Sequence, residues 1–332
     1  MIHTLYIERE VVDHPRTRMI RQRFPEARQV ECQRYGEVFN RKGQNFRLQK
    51  KAPALILANK FKNFVLEAPL SYNIGGQRNF YFSHMLNCLY DCRYCFLQGM
   101  YRSANYVLFV NYEDFDQAII DKAAEHPGEP SYFFSGYDCD SLALESVTGF
   151  ASHALKLFQK LPNAVLELRT KSIQIRPLLE REPLANVVVA FSLSPDTLAR
   201  ATEHKAPSLQ RRLEAIGTLQ RLGWPVGLRI DPLIYCSDFE AIYRDFFRQI
   251  FSVIDAEALH SVSLGTFRMP EAFFRNMARL YPEEKLFAGP MAARDGMLGY
   301  RDDLETALFD FCEEALLDYI PRAIYFPCRD NE

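Results

Sequence analysis

No run of about 18 consecutive apolar residues occurs in the chain, so no membrane-spanning helix is expected. The first residues, Met-Ile-His-Thr-Leu-Tyr-Ile-Glu-Arg-Glu, lack the basic-then-apolar layout of a secretory leader, and a cytoplasmic protein is expected. Charge of one sign is also missing. A formal net charge of −2 over 332 residues gives no global basic field for nucleic acid, so any such binding must come from a local patch. Neither an internal repeat nor a low-complexity segment is present. What the chain has is a 48% hydrophobic composition, enough for a sizeable core in one large α/β domain or one domain with an appendage. It also has eight cysteines, which in a reducing compartment read as free thiols or metal ligands. Five are scattered: Cys32, Cys139, Cys236, Cys312 and Cys328.

Residues 1–70 are mixed and basic, with Arg-Thr-Arg-Met-Ile-Arg-Gln-Arg at 16–23 and Arg-Lys-Gly-Gln-Asn-Phe-Arg-Leu-Gln-Lys-Lys at 41–51. They read as an N-terminal α/β extension whose charges form a solvated face or part of an anion-binding surface. Beyond residue 76, short apolar runs alternate with longer amphipathic ones. Strands are predicted at 79–83, 132–135, 165–170, 187–192, 226–230 and 261–265, with a further extended run at 106–110 outside this series. Helices are predicted to start near Glu113, Thr148, Ile173, Pro207 and Asp238, and another near Glu271; proline near a first turn is helix-start chemistry. Six strands with helical crossovers imply a parallel α/β sheet, too short for an eight-fold barrel. The expected fold class is α/β: a partial (β/α)6 barrel over 71–270, flanked by the extension at 1–70 and a C-terminal extension at 271–332. In such folds ligands sit at the carboxyl ends of the strands.

Just after the first predicted strand comes Cys88-Leu-Tyr-Asp-Cys92-Arg-Tyr-Cys95-Phe96. Three thiolates on one tight loop can hold three corners of a cubane iron–sulfur cluster and leave one iron open. Alternatively, His84 completes a structural zinc site of three cysteines and one histidine, in a zinc-stabilised DNA-binding module. No second CxxC-like knuckle exists to support that arrangement.

The CxxxCxxC loop followed by an aromatic residue resembles the radical S-adenosylmethionine (radical SAM) superfamily. That resemblance implies a four-iron, four-sulfur (4Fe-4S) cluster, S-adenosyl-L-methionine bound to the open iron, and reductive cleavage to a 5′-deoxyadenosyl radical. The likeness extends further. Cys-Arg-Tyr-Cys-Phe-Leu-Gln-Gly at 92–99 and Tyr-Val-Leu-Phe-Val-Asn-Tyr-Glu-Asp at 106–114 resemble the spore photoproduct lyase family. Arg169-Thr170-Lys171, Phe191-Ser192-Leu193-Ser194, Glu203 to Pro207 and Tyr281-Pro282 resemble further family motifs. The family implies a lyase that repairs a thymine lesion in DNA or a nucleotide-like substrate, fed by an electron donor such as a flavodoxin or ferredoxin. A radical enzyme with another substrate is the alternative.

The resemblance also suggests roles. Cys88, Cys92 and Cys95 would hold the cluster, and Tyr94 would cover the cluster or adenine, or simply pack. Lys171, Ser192, Ser135 and Phe96 would lie against S-adenosylmethionine; a lysine there pairs with a carboxylate. In the family a cysteine after the second strand and a tyrosine after the last cluster cysteine return hydrogen to the product. Here Phe96 has no hydroxyl, Tyr137 falls at the cysteine's place, and Cys139 comes two residues later, on the same face if the strand continues. Asp231 is a weak ribose candidate and Arg268 a phosphate or rim candidate. His84 reads as a core residue more than a ligand. The segment matching the family's DNA-engaging hairpin, residues 289–301, is shorter and has no lysine, leaving Arg294, Tyr300 and Arg301 as phosphate or stacking candidates.

Overall fold

The computed structural model describes residues 2–69 and 72–328. All six predicted barrel strands form, as Arg78–Phe82, Ser131–Ser135, Ala164–Thr170, Val187–Ser192, Val226–Leu233 and Leu259–Thr266. They are parallel and adjacent in sequence order within an eight-stranded sheet, with Leu66–Glu67 antiparallel at one edge and Tyr325–Pro327 parallel at the other. The sheet curls into a half-barrel. Every residue of Val187–Ser192 is buried, as expected of a parallel strand covered on both faces. The crossovers are built on Tyr112–Ala124, Phe150–Phe158, Arg176–Leu179, Leu209–Arg221 and Phe239–Phe251. Ser208 caps the fourth of these, its hydroxyl accepting the Arg211 amide. That crossover also holds a helix the sequence reading missed, Asp196–Thr202, and a two-residue strand, Glu203–His204. This strand pairs antiparallel with Asp91–Cys92 and ties the cysteine loop to the barrel.

The run at 106–110 lies outside the barrel, as predicted. Its strand, Tyr106–Phe109, joins a second sheet in the order Arg28–Cys32, Thr4–Glu8, Leu55–Ala58, Tyr106–Phe109, Met85–Leu86. On the C-terminal side, Met291–Arg294 and Met297–Tyr300 form a hairpin, and Arg268–Pro270 completes a three-stranded sheet. Both turn residues have positive φ (Asp295 49°, Gly296 77°), the backbone that short hairpins favour.

Glu271–Leu280 presses on the short helix Leu97–Met100 that follows the cysteines. A Cβ at Gly99 would sit 2.2 Å from the Phe273 carbonyl oxygen, and the Gly99 oxygen accepts from Asn276 Nδ2 at 3.0 Å. Gly99→Ala is therefore expected to push the helix off the loop, costing ~1–3 kcal/mol in denaturant titrations. An unchanged midpoint would contradict that close approach.

Inside the half-barrel, below the strand ends, the buried Arg229 guanidinium donates to Glu167 Oε2 at 2.7 Å and to Ser261 Oγ at 2.9 Å. Arg169 Nε reaches Glu167 Oε1 at 3.2 Å.

Candidate active site

A cavity of about 550 Å³ opens at the carboxyl ends of the strands. That volume suits a cofactor together with part of a substrate. Cys88, Cys92 and Cys95 all line it, and all three are free thiols. The loop is held from behind. Asn87, in the left-handed region at φ 70°, donates from Nδ2 to the carbonyls of Ser103 (2.8 Å) and Asn105 (2.7 Å). The Arg93 amide donates to the Thr202 carbonyl at 2.7 Å, and the Cys95 amide to the Cys92 carbonyl at 3.1 Å. Burial raises the pKa of each of the three thiols, that of Cys92 to about 12 despite the opposing charge of Lys171. Cluster binding must therefore expel protons from buried thiols.

Among the described residues, no three His, Cys, Asp or Glu side chains converge as they would on one metal ion. Three spread thiols facing one cavity fit a cubane, where each ligates a different iron. His84 does not complete the set. Its ring stacks on Phe150 at 3.7 Å, and Nδ1 lies 3.9 Å from Cys139 Sγ. The zinc reading loses its fourth ligand on this geometry.

Burial holds the His84 imidazole down at about 3. The unfolded chain binds this proton below about 6.5 and the folded one does not, so stability is expected to fall as pH drops from 6.5 toward 3. The slope is roughly 1.4 kcal/mol per pH unit. Denaturant titrations of the apo-protein across that window, with His84→Phe as control, check it. A slope that survives the substitution would assign the effect elsewhere.

Tyr94 contributes its ring to the cavity wall, with Lys171 Nζ 5.3 Å from the ring centre. Its hydroxyl points away and donates to Glu203. Glu203 is the hub the sequence reading passed over. Its buried carboxylate also accepts from Ser194 Oγ at 3.0 Å and pairs with Arg212, which in turn donates to the carbonyls of Ser192 and Pro207 at 2.9 Å each. Burial alone would raise the Glu203 carboxyl, but Lys171 and Arg212 bring it below its ordinary value. Burial would lower Lys171, but Glu203 and Cys92 leave it raised and cationic.

Ser192, Phe96, Tyr137 and Cys139 also line the cavity. Ser135 does not. Its hydroxyl is buried, accepting from Ser141 Oγ at 2.7 Å and donating to the Glu167 carbonyl at 2.8 Å. The strand ends at Ser135, and Gly136 turns the chain at φ 87°, so Tyr137 and Cys139 do not share a strand face as predicted. They reach the cavity separately. Tyr137 packs among Tyr81 (4.5 Å between ring centres), Phe96 (5.7 Å) and Tyr72 (5.8 Å). Cys139 is buried beside His84, and burial near Asp138 and Asp140 pushes its thiol well up. Asp140 accepts hydrogen bonds from the amides of Leu142 (3.0 Å), Ala143 (2.8 Å) and Lys171 (2.7 Å) and from Thr170 Oγ1 (2.6 Å). It fastens the second strand's loop to the third strand's end.

The hairpin gives less than expected. Tyr300 is 1% exposed, its hydroxyl accepting the Tyr235 amide at 2.9 Å, so it cannot stack on a base. Arg294 is engaged by Asp302 and Glu305. Arg301 is exposed and pairs with Asp303 at 3.2 Å.

A parallel half-barrel with three cluster-type thiols at its mouth defines the class: a radical SAM enzyme of the partial-barrel type. Within that class, the chain belongs to the spore photoproduct lyase family, whose sequence model matches residues 2–295. A spore photoproduct lyase from Bacillus subtilis (strain 168) is 24% identical over 250 residues, spanning 71% of this chain and 72% of the relative. One from Geobacillus sp. (strain Y412MC61) is 23% identical over 255 residues, 72% of each. A spore photoproduct lyase variant solved with bound AdoMet and dinucleoside spore photoproduct matches with a TM-score of 0.87 at 17% identity. The match covers 100% of this chain and 99% of that one, and establishes the shared fold.

Proposed function

We propose that this chain is a radical SAM lyase that reverses a thymine lesion of the spore photoproduct type, in DNA or a nucleotide-like substrate. The observation that carries this reading is that Cys88, Cys92, Cys95, Lys171 and Cys139 open onto one cavity. The three cysteines would hold a 4Fe-4S cluster, and Lys171 and Ser192, which line the same cavity, would meet S-adenosylmethionine there. When bound, the pair supplies a 5′-deoxyadenosyl radical after one-electron reduction by a flavodoxin- or ferredoxin-like partner. Lys171, kept cationic by Glu203, offers a point charge for a carboxylate. Phe96 and Tyr137 wall off water with their rings.

Cys139 is the hydrogen donor in this reading. Its environment keeps it as S–H rather than thiolate, and a neutral His84 beside it does not draw the proton off into an ion pair. Phe96 cannot relay hydrogen, so the thiol would serve the product directly. No helix among the described residues is long and apolar enough to cross a membrane.

Cys139→Ala is expected to keep the cluster and cofactor cleavage, while thymine recovered per 5′-deoxyadenosine drops by about tenfold or more, a barrier change of ~1.4 kcal/mol. Product analysis after anaerobic turnover reads this. Unchanged yield would remove Cys139 from the role.

A further inference from the structure

We propose that Asp231 and Arg169 form a subsite in the cavity that binds the imide edge of one thymine of the lesion. This rests on the proposed function. Both residues line the cavity, together with Tyr72, Tyr137 and Lys171. Glu167 and Arg169 alternate along one strand and share its inner face, and Lys171 follows directly after the strand's end.

Arg169 is an oriented donor. Nε is held by Glu167 at 3.2 Å, Nη1 donates to the Tyr72 hydroxyl at 2.9 Å, and the guanidinium lies 4.6 Å from the Tyr72 ring centre. Glu167 is itself fixed by Arg229. Nη2 of Arg169 carries no hydrogen bond among the described residues and is available to a ligand.

Asp231 is the complementary acceptor. It lies near the carboxyl end of the fifth strand, half-buried, and no hydrogen bond or ion pair reaches its carboxylate among the described residues. Its position is nevertheless defined: a Cβ at Gly265 would lie 3.1 Å from Oδ1, so the carboxylate rests against the bare backbone of the sixth strand. The carboxylate is half-buried and lies within electrostatic reach of the Arg169 guanidinium, and it keeps acceptor positions open to a ligand N–H.

A thymine presents N3–H between two carbonyl oxygens. A carboxylate accepts from N3–H while a guanidinium donates to the neighbouring carbonyl, two charge-assisted contacts in one plane. Bond breaking takes place at the methylene bridge on the other side of the ring, so the imide edge is unchanged by the reaction. Recognition there leaves the reacting side turned toward the cluster and Cys139.

The test uses the reconstituted full chain, dinucleoside spore photoproduct, and the same compound methylated at both N3 positions. Equilibrium titration is expected to show wild type preferring the unmethylated lesion by about tenfold or more, ~1.4 kcal/mol. Asp231→Ala should weaken binding of the unmethylated lesion to the level of the methylated one, abolishing the preference. Asp231→Asn, which keeps an acceptor oxygen, should fall between. Cluster absorbance controls for folding. Wild type that binds both compounds equally, or Asp231→Ala that keeps the preference, overturns the subsite while leaving the lyase reading intact. Wild type that binds neither compound overturns both.

Discussion

Cys88→Ala, Cys92→Ala or Cys95→Ala is expected to yield protein without the iron–sulfur absorbance of the reconstituted wild type and without 5′-deoxyadenosine production. The effect is all-or-none because the loop offers no substitute. Among the described residues no other group of three metal-type side chains converges to take over, and His84 is committed to Phe150 and Cys139. Two thiolates on a cubane leave two irons open, and the cluster is lost to solvent. The fold itself should survive. The loop is fastened by Asn87, by the Arg93 amide to the Thr202 carbonyl, and by the Asp91–Cys92 pairing with Glu203–His204, none of which needs sulfur. Circular dichroism should therefore match wild type while iron content collapses. A variant that keeps a full cluster would contradict the ligand assignment.

Glu203→Ala is expected to be the most destabilising single change near the site. It leaves Arg212, 1% exposed, as an uncompensated buried charge, and strands the Tyr94 and Ser194 hydroxyls. Breaking one side of a buried pair costs ~3–5 kcal/mol, which for a chain of this size lowers Tm by on the order of 10 °C. Cluster yield should fall too, because Glu203 belongs to the strand paired with Cys92. Replacing both partners, Glu203→Leu with Arg212→Met, removes the stranded Arg212 charge and should recover that part of the loss, while the Tyr94 and Ser194 hydroxyls stay without their acceptor. Scanning calorimetry of the singles and the double decides it. Equal instability of the double would mean that the pair is not the cause.

The barrel was legible because its strands are short, apolar and separated by helical patterns. The cysteine loop was legible because thiol spacing is local. What stayed hidden is whatever depends on a turn or on contacts far apart in sequence. Gly136 ends the second strand's periodicity, so Tyr137 and Cys139 could not be placed by alternation, and Ser135 was assigned to a cavity it faces away from. Glu203 was legible only as the first residue of a family-like motif, yet it contacts Tyr94, 109 positions earlier. The signal for Arg169 was present: the period of two that puts Lys171 at the mouth puts Glu167 and Arg169 on the same inner face. Tyr300 was misjudged because an aromatic residue in a hairpin reads alike whether it faces solvent or, as here, the core.

Radical chemistry on a thymine lesion is the reaction proposed for this cavity. Anaerobic incubation of the reconstituted chain with S-adenosylmethionine, a reductant and dinucleoside spore photoproduct, followed by chromatographic product analysis, tests it most directly. The predicted result is 5′-deoxyadenosine together with the repaired thymine dinucleoside. Cofactor cleavage with the lesion left intact would contradict the claim and place a different substrate in the cavity.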